Sequence, residues 1–503
     1  MTGNANLYAH FQQHFPVDLN KQLLTDVDGR GVTYLQADEA SARIANTLLQ
    51  LGAGGGDRIT VQVEKSVENL YLYLACLRAG LVYHPLNTAY TASELAYFFG
   101  NAEPTIVICA SDALTTVESV LPASGIKALL TLDADGSGSL MQQAENASTQ
   151  AGVAQCQGDE MAALLYSSGT TGQPKGIMLS HDNLRKNAET LVETWGFSAS
   201  DRLLHMLPIY HVHGLFVGLG CVLMCGASMV WHSRFTDKSA IATMQDCTVM
   251  MGVPTYYTRL LANQEFGPEC CSNMRLFVSG SAPLLSETFV EFNVRTGHTI
   301  LERYGMTETG MNTSNPLNGE RRAGTVGPPL PDVTVRVVDD AGVQLADGET
   351  GNLQVQGPNV FPGYWRMPGK TAEDFTSDGF FNTGDKAIVD ADGYISIVGR
   401  AKDMIISGGL NVYPKEIELV IDDMEGVIES AVIGVPDADF GEAVVAVIIG
   451  DGDAPTTKEV ITYCKKQLAN FKVPKRVEMI DSLPRNAMGK VQKNLLRKQF
   501  SKA

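Results

Sequence analysis

The residues Tyr166-Ser-Ser-Gly-Thr-Thr-Gly-Gln-Pro-Lys-Gly176 gather two Ser, two Thr, three Gly and one Lys into eleven positions. Glycines let backbone N–H groups approach an anion closely, hydroxyls add donors and Lys175 supplies charge, so the segment reads as a phosphate cradle. It is not a Walker A loop, because GxxxxGK followed by Ser or Thr occurs nowhere in the chain. The apolar residues 161–165 lead into it, and the Lys-Gly pair is expected between a strand and a helix. A second candidate is the histidine group His205, His211 and His213, within nine residues. HxH can be part of a zinc site, but the spacing predicts two side chains on one strand face without Cys or Glu partners. A pocket wall at His211 is the better reading. GxSxG is absent, so a serine-hydrolase reading has no support.

The elements around these residues follow from periodicity. Residues 36–52 place apolar side chains at three- and four-residue spacing and end at glycine, which predicts an amphipathic helix. Residues 57–64 alternate like a strand, 66–80 read as a helix, and 104–110 as a short apolar strand. This alternation continues to about residue 300 and predicts βαβ units with helix-covered sheets. After about 330 the texture changes to strands joined by Asp-Gly and Gly-containing turns over 333–357, then strand, polar break and strand over 393–409, which predicts a β-barrel-like subdomain. A polar break near Lys402 divides a large N-terminal domain, 1–401, from a small mobile α+β domain, 402–503. The latter should hold a helix from Pro414, strands at 426–435 and 442–450, a helix at 456–470, a strand at 473–480 and a basic last helix. The fold class is therefore α/β with a separate C-terminal unit.

Composition narrows the function. The chain has 503 residues, net charge −18, 44% hydrophobic and 19% charged residues, which excludes bulk disorder. Overall acidity argues against a nucleic-acid surface, since phosphate neutralisation needs clustered Lys and Arg. Residues 455–503 nevertheless carry twelve Lys/Arg against three Asp/Glu. That tail is either a solvated helical face or a surface for a polyanionic small molecule. Nine cysteines without a CxxC pair suit a reducing cytoplasm, and the N-terminus reads as neither a secretory signal nor a presequence. Residues 212–231 lack Asp, Glu, Lys and Arg over twenty positions, long enough for a bilayer. Four glycines and the absence of a flanking basic cluster make a buried helix followed by a strand the expected structure, with no membrane.

Set in order, the motifs resemble those of the adenylate-forming acyl-CoA synthetase superfamily. Beside the cradle, Tyr304-Gly-Met-Thr-Glu308 is similar to its YGxTE motif, Asn382-Thr-Gly-Asp385 to TGD, Gly399-Arg-Ala-Lys-Asp403 to GRxKD, and Pro484-Arg-Asn-Ala-Met-Gly-Lys490 to its C-terminal lysine motif. The segments 207–216, 252–261, 301–316 and 411–418 look most like those of malonyl-CoA synthetases. The resemblance implies a ligase that uses ATP, Mg²⁺ and coenzyme A. Ser167, Ser168, Gly169, Thr170, Thr171, Gly172 and Lys175 would hold the phosphates of ATP. Tyr304, with Gly305 and Met306, would lie against adenine. Thr307 would contact phosphate, Glu308 would ligate Mg²⁺, and Asp385 and Arg400 would hold ribose. Lys490 would bridge the incoming carboxylate and the α-phosphate, Lys402 would be the hinge, and Ser407, Gly408 and Gly409 would border the pantetheine tunnel.

A second carboxylate on the acid must be buried beside the reaction centre, and an unpaired buried charge costs several kcal/mol. Arginine, with a planar fork of donors, is the expected partner. Arg303 and Arg234 are the candidates, with His211, Ser281 and Met311 lining and closing a short pocket. Malonate is the expected acid, with methylmalonate as a second substrate. A short monocarboxylate remains open if both arginines are structural, as do an adenylating enzyme loading a carrier protein and a catalytically silent nucleotide-binding protein. Oligomeric state is not legible.

Overall fold

In the computed structural model, the described residues are 3–167, 174–400, 403–407, 410–437, 441–468, 470–486 and 489–501. Ser168, Gly169, Thr170, Thr171, Gly172, Lys402, Gly408 and Gly409 lie outside the described residues.

Short continuous apolar strands, buried on both faces, need helices on either side to cover them. Two such sheets form. One has six strands in the order Ala128–Thr131, Ile106–Cys109, Arg58–Gln62, Val82–Pro85, Met161–Ser167 and Lys175–Ser180, parallel except for the last. The other has eight: Gly310–Ser314, Leu301–Met306, Leu276–Ser279, Val249–Gly252, Arg202–His205, Ser228–Trp231, Gln22–Asp26 and Gly31–Thr33. Its outer strands, Gly310–Ser314 and Gly31–Thr33, pair antiparallel with their neighbours. Helices start where the sequence provides caps. Thr33 and Gln36 form a reciprocal capping box at Tyr34–Gln50, and Ser180 with Asn183 does so at His181–Thr194.

The phosphate segment departs from expectation. Lys175–Ser180 is a strand that turns back on Met161–Ser167, with Ser167 opposite Lys175. The helix starts only at His181. The cause is the continuous apolar run Ile177-Met178-Leu179, which buries Ile177 and Leu179 in the main core while Met178 packs against a smaller cluster. Residues 212–231 form a π-helical turn, His213–Gly218, then the helix Leu219–Leu223 and the strand Ser228–Trp231. No described helix is long and apolar enough to cross a membrane. The histidines do not share a strand face. His205 ends a strand, His211 lies in the following loop and His213 opens the π-helical turn, so the HxH spacing is read along a turn.

Beyond residue 330, the strands Thr334–Val338, Gly351–Gln356, Phe381–Val389 and Ile395–Arg400 make a four-stranded antiparallel sheet. The C-terminal residues build a five-stranded sheet around Gly441–Gly450. One face is covered by Pro414–Asp422 and Thr457–Gln467, which contribute Ile417, Ile421, Val460 and Cys464 to its core. The other is covered by Leu483 and Leu496. The sheet of these C-terminal residues thus has a core on each face.

Candidate active site

In open α/β sheets, ligands bind beyond the carboxyl ends of the parallel strands, and the candidate residues converge there. His211 and His213 follow the strand ending at His205, Ser281 follows the one ending at Ser279, and Thr307 and Glu308 follow the one ending at Met306. The side chain of Arg303, in Leu301–Met306, is 3% exposed. Its Nε and Nη2 have no hydrogen-bond partner among the described residues. Gly280 makes room for it, since a Cβ there would stand 2.3 Å from Cζ. Burial pushes the Arg303 pKa down to about 10, which still leaves the guanidinium charged at neutral pH.

Two neutral imidazoles face this cation. Burial, with the charges of Lys490 and Arg303, lowers the His211 pKa to about 3. Burial and Arg303 lower that of His213 well below its ordinary value. Ser281 Oγ lies 3.3 Å from His213 Nδ1, while His213 Nε2 is buried without a partner among the described residues. Ser281 holds φ at 74°, a left-handed conformation uncommon for serine. A buried guanidinium and a buried imidazole nitrogen, both lacking partners, form a site built for an anion. Met311, 2% exposed, packs against Gly305, where a Cβ would meet Met311 Cε at 2.5 Å. Arg234 does not join this group. Its exposed side chain lines a separate cavity of about 240 Å³ with Glu64, Lys65, Thr88, Tyr210 and Tyr256.

The nucleotide candidates form a second cluster. Tyr304 Oη donates to Asp385 Oδ2 (2.5 Å), and Arg400 Nε lies 2.7 Å from Asp385 Oδ1. Cross-strand pairing of Asp385 with Arg400 sets this geometry. Glu308 is 6% exposed, and burial raises its pKa while Arg400, Lys175 and Lys490 lower it. It has no ion-pair partner in contact among the described residues. Lys175 Nζ donates to Tyr364 Oη (3.0 Å), and that hydroxyl donates to Asp374 Oδ2 (3.0 Å). Lys490 comes from the C-terminal unit, its backbone N–H bonded to Asn486 Oδ1 (2.9 Å). Much of its side chain still meets water, yet crowding by the protein and the charges of Arg400 and Arg303 lower its pKa, while Asp385 and Glu308 raise it. Lys490 therefore sits within electrostatic reach of both clusters. Ser407 is 2% exposed and pairs with Gly441 and Leu410.

Sequence reasoning missed Tyr364, Asp374 and Glu302. Glu302, next to Arg303, accepts from Leu284 N–H through Oε1 (3.1 Å), and burial raises its pKa to about 7. A carboxyl whose folded pKa exceeds its unfolded value is stabilising below the unfolded pKa and loses that contribution as pH rises through the folded one. Glu302→Gln keeps the acceptor and removes the titration. Its melting temperature relative to the parent should rise by several degrees between pH 5.5 and pH 8.5, as thermal unfolding at the two pH values will show.

Profiles of two sequence families match the chain: AMP-binding enzyme over residues 11–365 and AMP-binding enzyme C-terminal domain over 416–490. A malonate–CoA ligase of Arabidopsis thaliana is 34% identical over 94% of this chain and 85% of its own length. The crystal structure of ATP-bound MatB from Rhodopseudomonas palustris is 50% identical over 99% of both chains, with a TM-score of 0.97. The apo form of the same protein, over the same coverage, gives 0.86. By TM-score the backbone is thus nearer the ATP-bound form than the apo form.

Proposed function

The chain belongs to the AMP-binding enzyme family, and on that premise we propose that it is a malonate–CoA ligase. It converts ATP, malonate and coenzyme A to AMP, diphosphate and malonyl-CoA through a malonyl-adenylate. The observation that carries the substrate is the buried Arg303 guanidinium, unpartnered at Nε and Nη2 and set one residue before the Tyr304–Glu308 motif. A monocarboxylate would leave that cation uncompensated, at a cost of several kcal/mol. The distal carboxylate of malonate compensates it, with His211, His213 and Ser281 as polar wall and Met311 limiting length. Methylmalonate adds one methyl group to the same frame. Arg234 is assigned no contact with the acid.

A carboxylate is a poor acyl donor, so its oxygen first attacks the α-phosphorus of ATP and diphosphate leaves. Two anions approach each other in that step, so catalysis consists of positioning and charge neutralisation. Lys490 stands between the acid and the α-phosphate. Ser167 to Lys175 hold the outer phosphates, Thr307 contacts phosphate, and Tyr304, Gly305 and Met306 flank adenine. Asp385 and Arg400, which fix each other, present their remaining polar edges to the ribose. Glu308 fits Mg²⁺: it is a hard oxygen donor, buried, without a cation in contact among the described residues. Magnesium held by one carboxylate and substrate phosphates would neutralise charge on the triphosphate.

In the second step the coenzyme A thiol attacks the acyl carbon and AMP leaves. The two steps need different surfaces, so residues 402–503 rotate about Lys402 as a domain apart from 1–401. That turn withdraws Lys490 and leaves Ser407, Gly408 and Gly409 bordering the pantetheine tunnel. The basic tail suits the phosphates of coenzyme A better than a carrier protein. Nine free cysteines, eight of them buried, suit a cytoplasmic setting. Pyrophosphate release measured across malonate, methylmalonate, succinate, acetate and butyrate tests this reading. Malonate should give the highest kcat/KM, and a preference for acetate or butyrate would overturn it.

A further inference from the structure

The strand Gly310–Ser314 is the outermost of the eight-stranded sheet; among the described strands it pairs only with Leu301–Met306, and an isolated bridge joins Thr313 to Pro329. An edge strand leaves a row of N–H and C=O groups open, and a buried edge cannot leave them unmet without cost. From residue 312 onward the chain at 328–330 covers the open side. Leu330 N–H donates to Asn312 O (2.9 Å) and Ser314 N–H to Pro328 O (3.1 Å). At Met311, 2% exposed, no further strand arrives among the described residues.

The amide of Asn187 meets that residue instead. Its Oδ1 accepts from Met311 N–H (3.0 Å) and its Nδ2 donates to Met311 O (3.0 Å). Asn187 lies on His181–Thr194 and is 9% exposed. Gly310, at φ 58°, lets the strand come this close, because a Cβ there would stand 2.6 Å from Asn187 Oδ1. Asn359 braces the same turn from behind, its Nδ2 donating to Thr309 O (2.7 Å), Met311 O (3.2 Å) and Asn312 Oδ1 (3.0 Å). Phe361 N–H donates to Glu308 O (2.8 Å).

We propose that Asn187, backed by Asn359, is a positioning residue that takes the place of a ninth strand and fixes the turn carrying Thr307, Glu308 and Met311. The helix bearing Asn187 continues directly from Lys175–Ser180, the strand that leaves the phosphate segment. One amide therefore ties the element holding Lys175 to the turn holding Glu308, two groups that must address the same triphosphate. The inference rests on the reading of Glu308 as the Mg²⁺ ligand.

The test uses Asn187→Leu, which removes both bonds at similar volume, and Asn187→Asp, which keeps only the acceptor. Displacing reacting groups by about 1 Å costs about a hundredfold in rate, the loss expected for Asn187→Leu in malonate-dependent pyrophosphate release. Half-saturating Mg²⁺ should rise about tenfold, as when a group supporting a metal ligand is lost. The rise in melting temperature given by MgATP over ATP alone should shrink, with Asn187→Asp intermediate in both readouts. In a Glu308→Gln background, Asn187→Leu should add little further loss. A folded Asn187→Leu with parental Mg²⁺ half-saturation and an undiminished MgATP shift overturns the proposal, as do losses that multiply fully with Glu308→Gln. Should Asn187→Leu not fold, Asn359→Ala is judged on the same two readouts. Unchanged Mg²⁺ dependence in Glu308→Gln alone overturns the metal reading first, and the inference with it.

Discussion

Replacing Arg303 with methionine is expected to raise the KM for malonate by about two to nearly four orders of magnitude. Removing one partner of a buried ion pair costs about 3–5 kcal/mol, and each 1.4 kcal/mol is a factor of about ten. Acetate, which lacks the distal carboxylate, should lose nothing and become the relatively better substrate. The same variant should fold as well as its parent or better. Arg303 is a base whose folded pKa, about 10, lies below its ordinary 12.5. A base shifted down penalises the fold at every pH below the folded value, because the unfolded chain binds the proton more readily. At pH 7 that penalty is fully present in the ligand-free protein, and methionine removes it. Steady-state kinetics with both acids, beside a melting curve, reads the two effects together. An unchanged malonate-to-acetate ratio in a folded Arg303→Met protein would remove Arg303 from the acid site.

Lys490→Ala separates the two half-reactions. The ammonium is asked to neutralise the approach of carboxylate to α-phosphate, a task confined to adenylation. Electrostatic stabilisers of this kind are worth about 10²- to 10³-fold in rate, and that is the expected loss with ATP and malonate as substrates. Presynthesised malonyl-adenylate with coenzyme A bypasses the step, so thioester formation from it should return close to the parental rate. Equal impairment on both routes would mean that Lys490 serves both steps, and that the small domain does not withdraw it.

Much of this was legible in the residues. The helix expected at 36–52 occupies Tyr34–Gln50, and the strands expected at 426–435 and 442–450 occupy Val427–Asp437 and Gly441–Gly450. These segments have strong periodicity and clear breakers, so local pattern and tertiary environment agree. The apolar run 212–231 resolved correctly into a helical turn and a strand because its glycines allow close packing. At Gly214 a Cβ would stand 2.2 Å from Pro208 O. The phosphate segment misled because glycine-rich loops before helices are the familiar anion cradles, whereas Lys175–Ser180 carries a short continuous apolar run that pairs as a strand first.

Arg303 was singled out by its place before Tyr304, and the structure shows it buried beside Gly280 with Nε and Nη2 unpartnered among the described residues. Arg234 looked equivalent in sequence, yet only the fold shows that it opens onto another cavity. Asn187, Asn359 and Tyr364 left no signal, since a single polar residue on a helix or loop is ordinarily a solvated one. The roles of Asn187 and Asn359 depend on which backbone groups an edge strand leaves open, and that of Tyr364 on its meeting Lys175 and Asp374; both are properties of topology and not of spacing.

The most direct measurement follows an oxygen atom. Malonate labelled with ¹⁸O in its carboxylates is incubated with the protein, ATP, Mg²⁺ and coenzyme A, and the products are read by mass spectrometry. If a malonate oxygen attacks the α-phosphorus and the thiol then displaces AMP, the bridging oxygen leaves with the nucleotide. Malonyl-CoA should appear with equal amounts of AMP and diphosphate, and the AMP phosphate should carry one ¹⁸O. Unlabelled AMP, or ADP with label in inorganic phosphate, would contradict the malonyl-adenylate route.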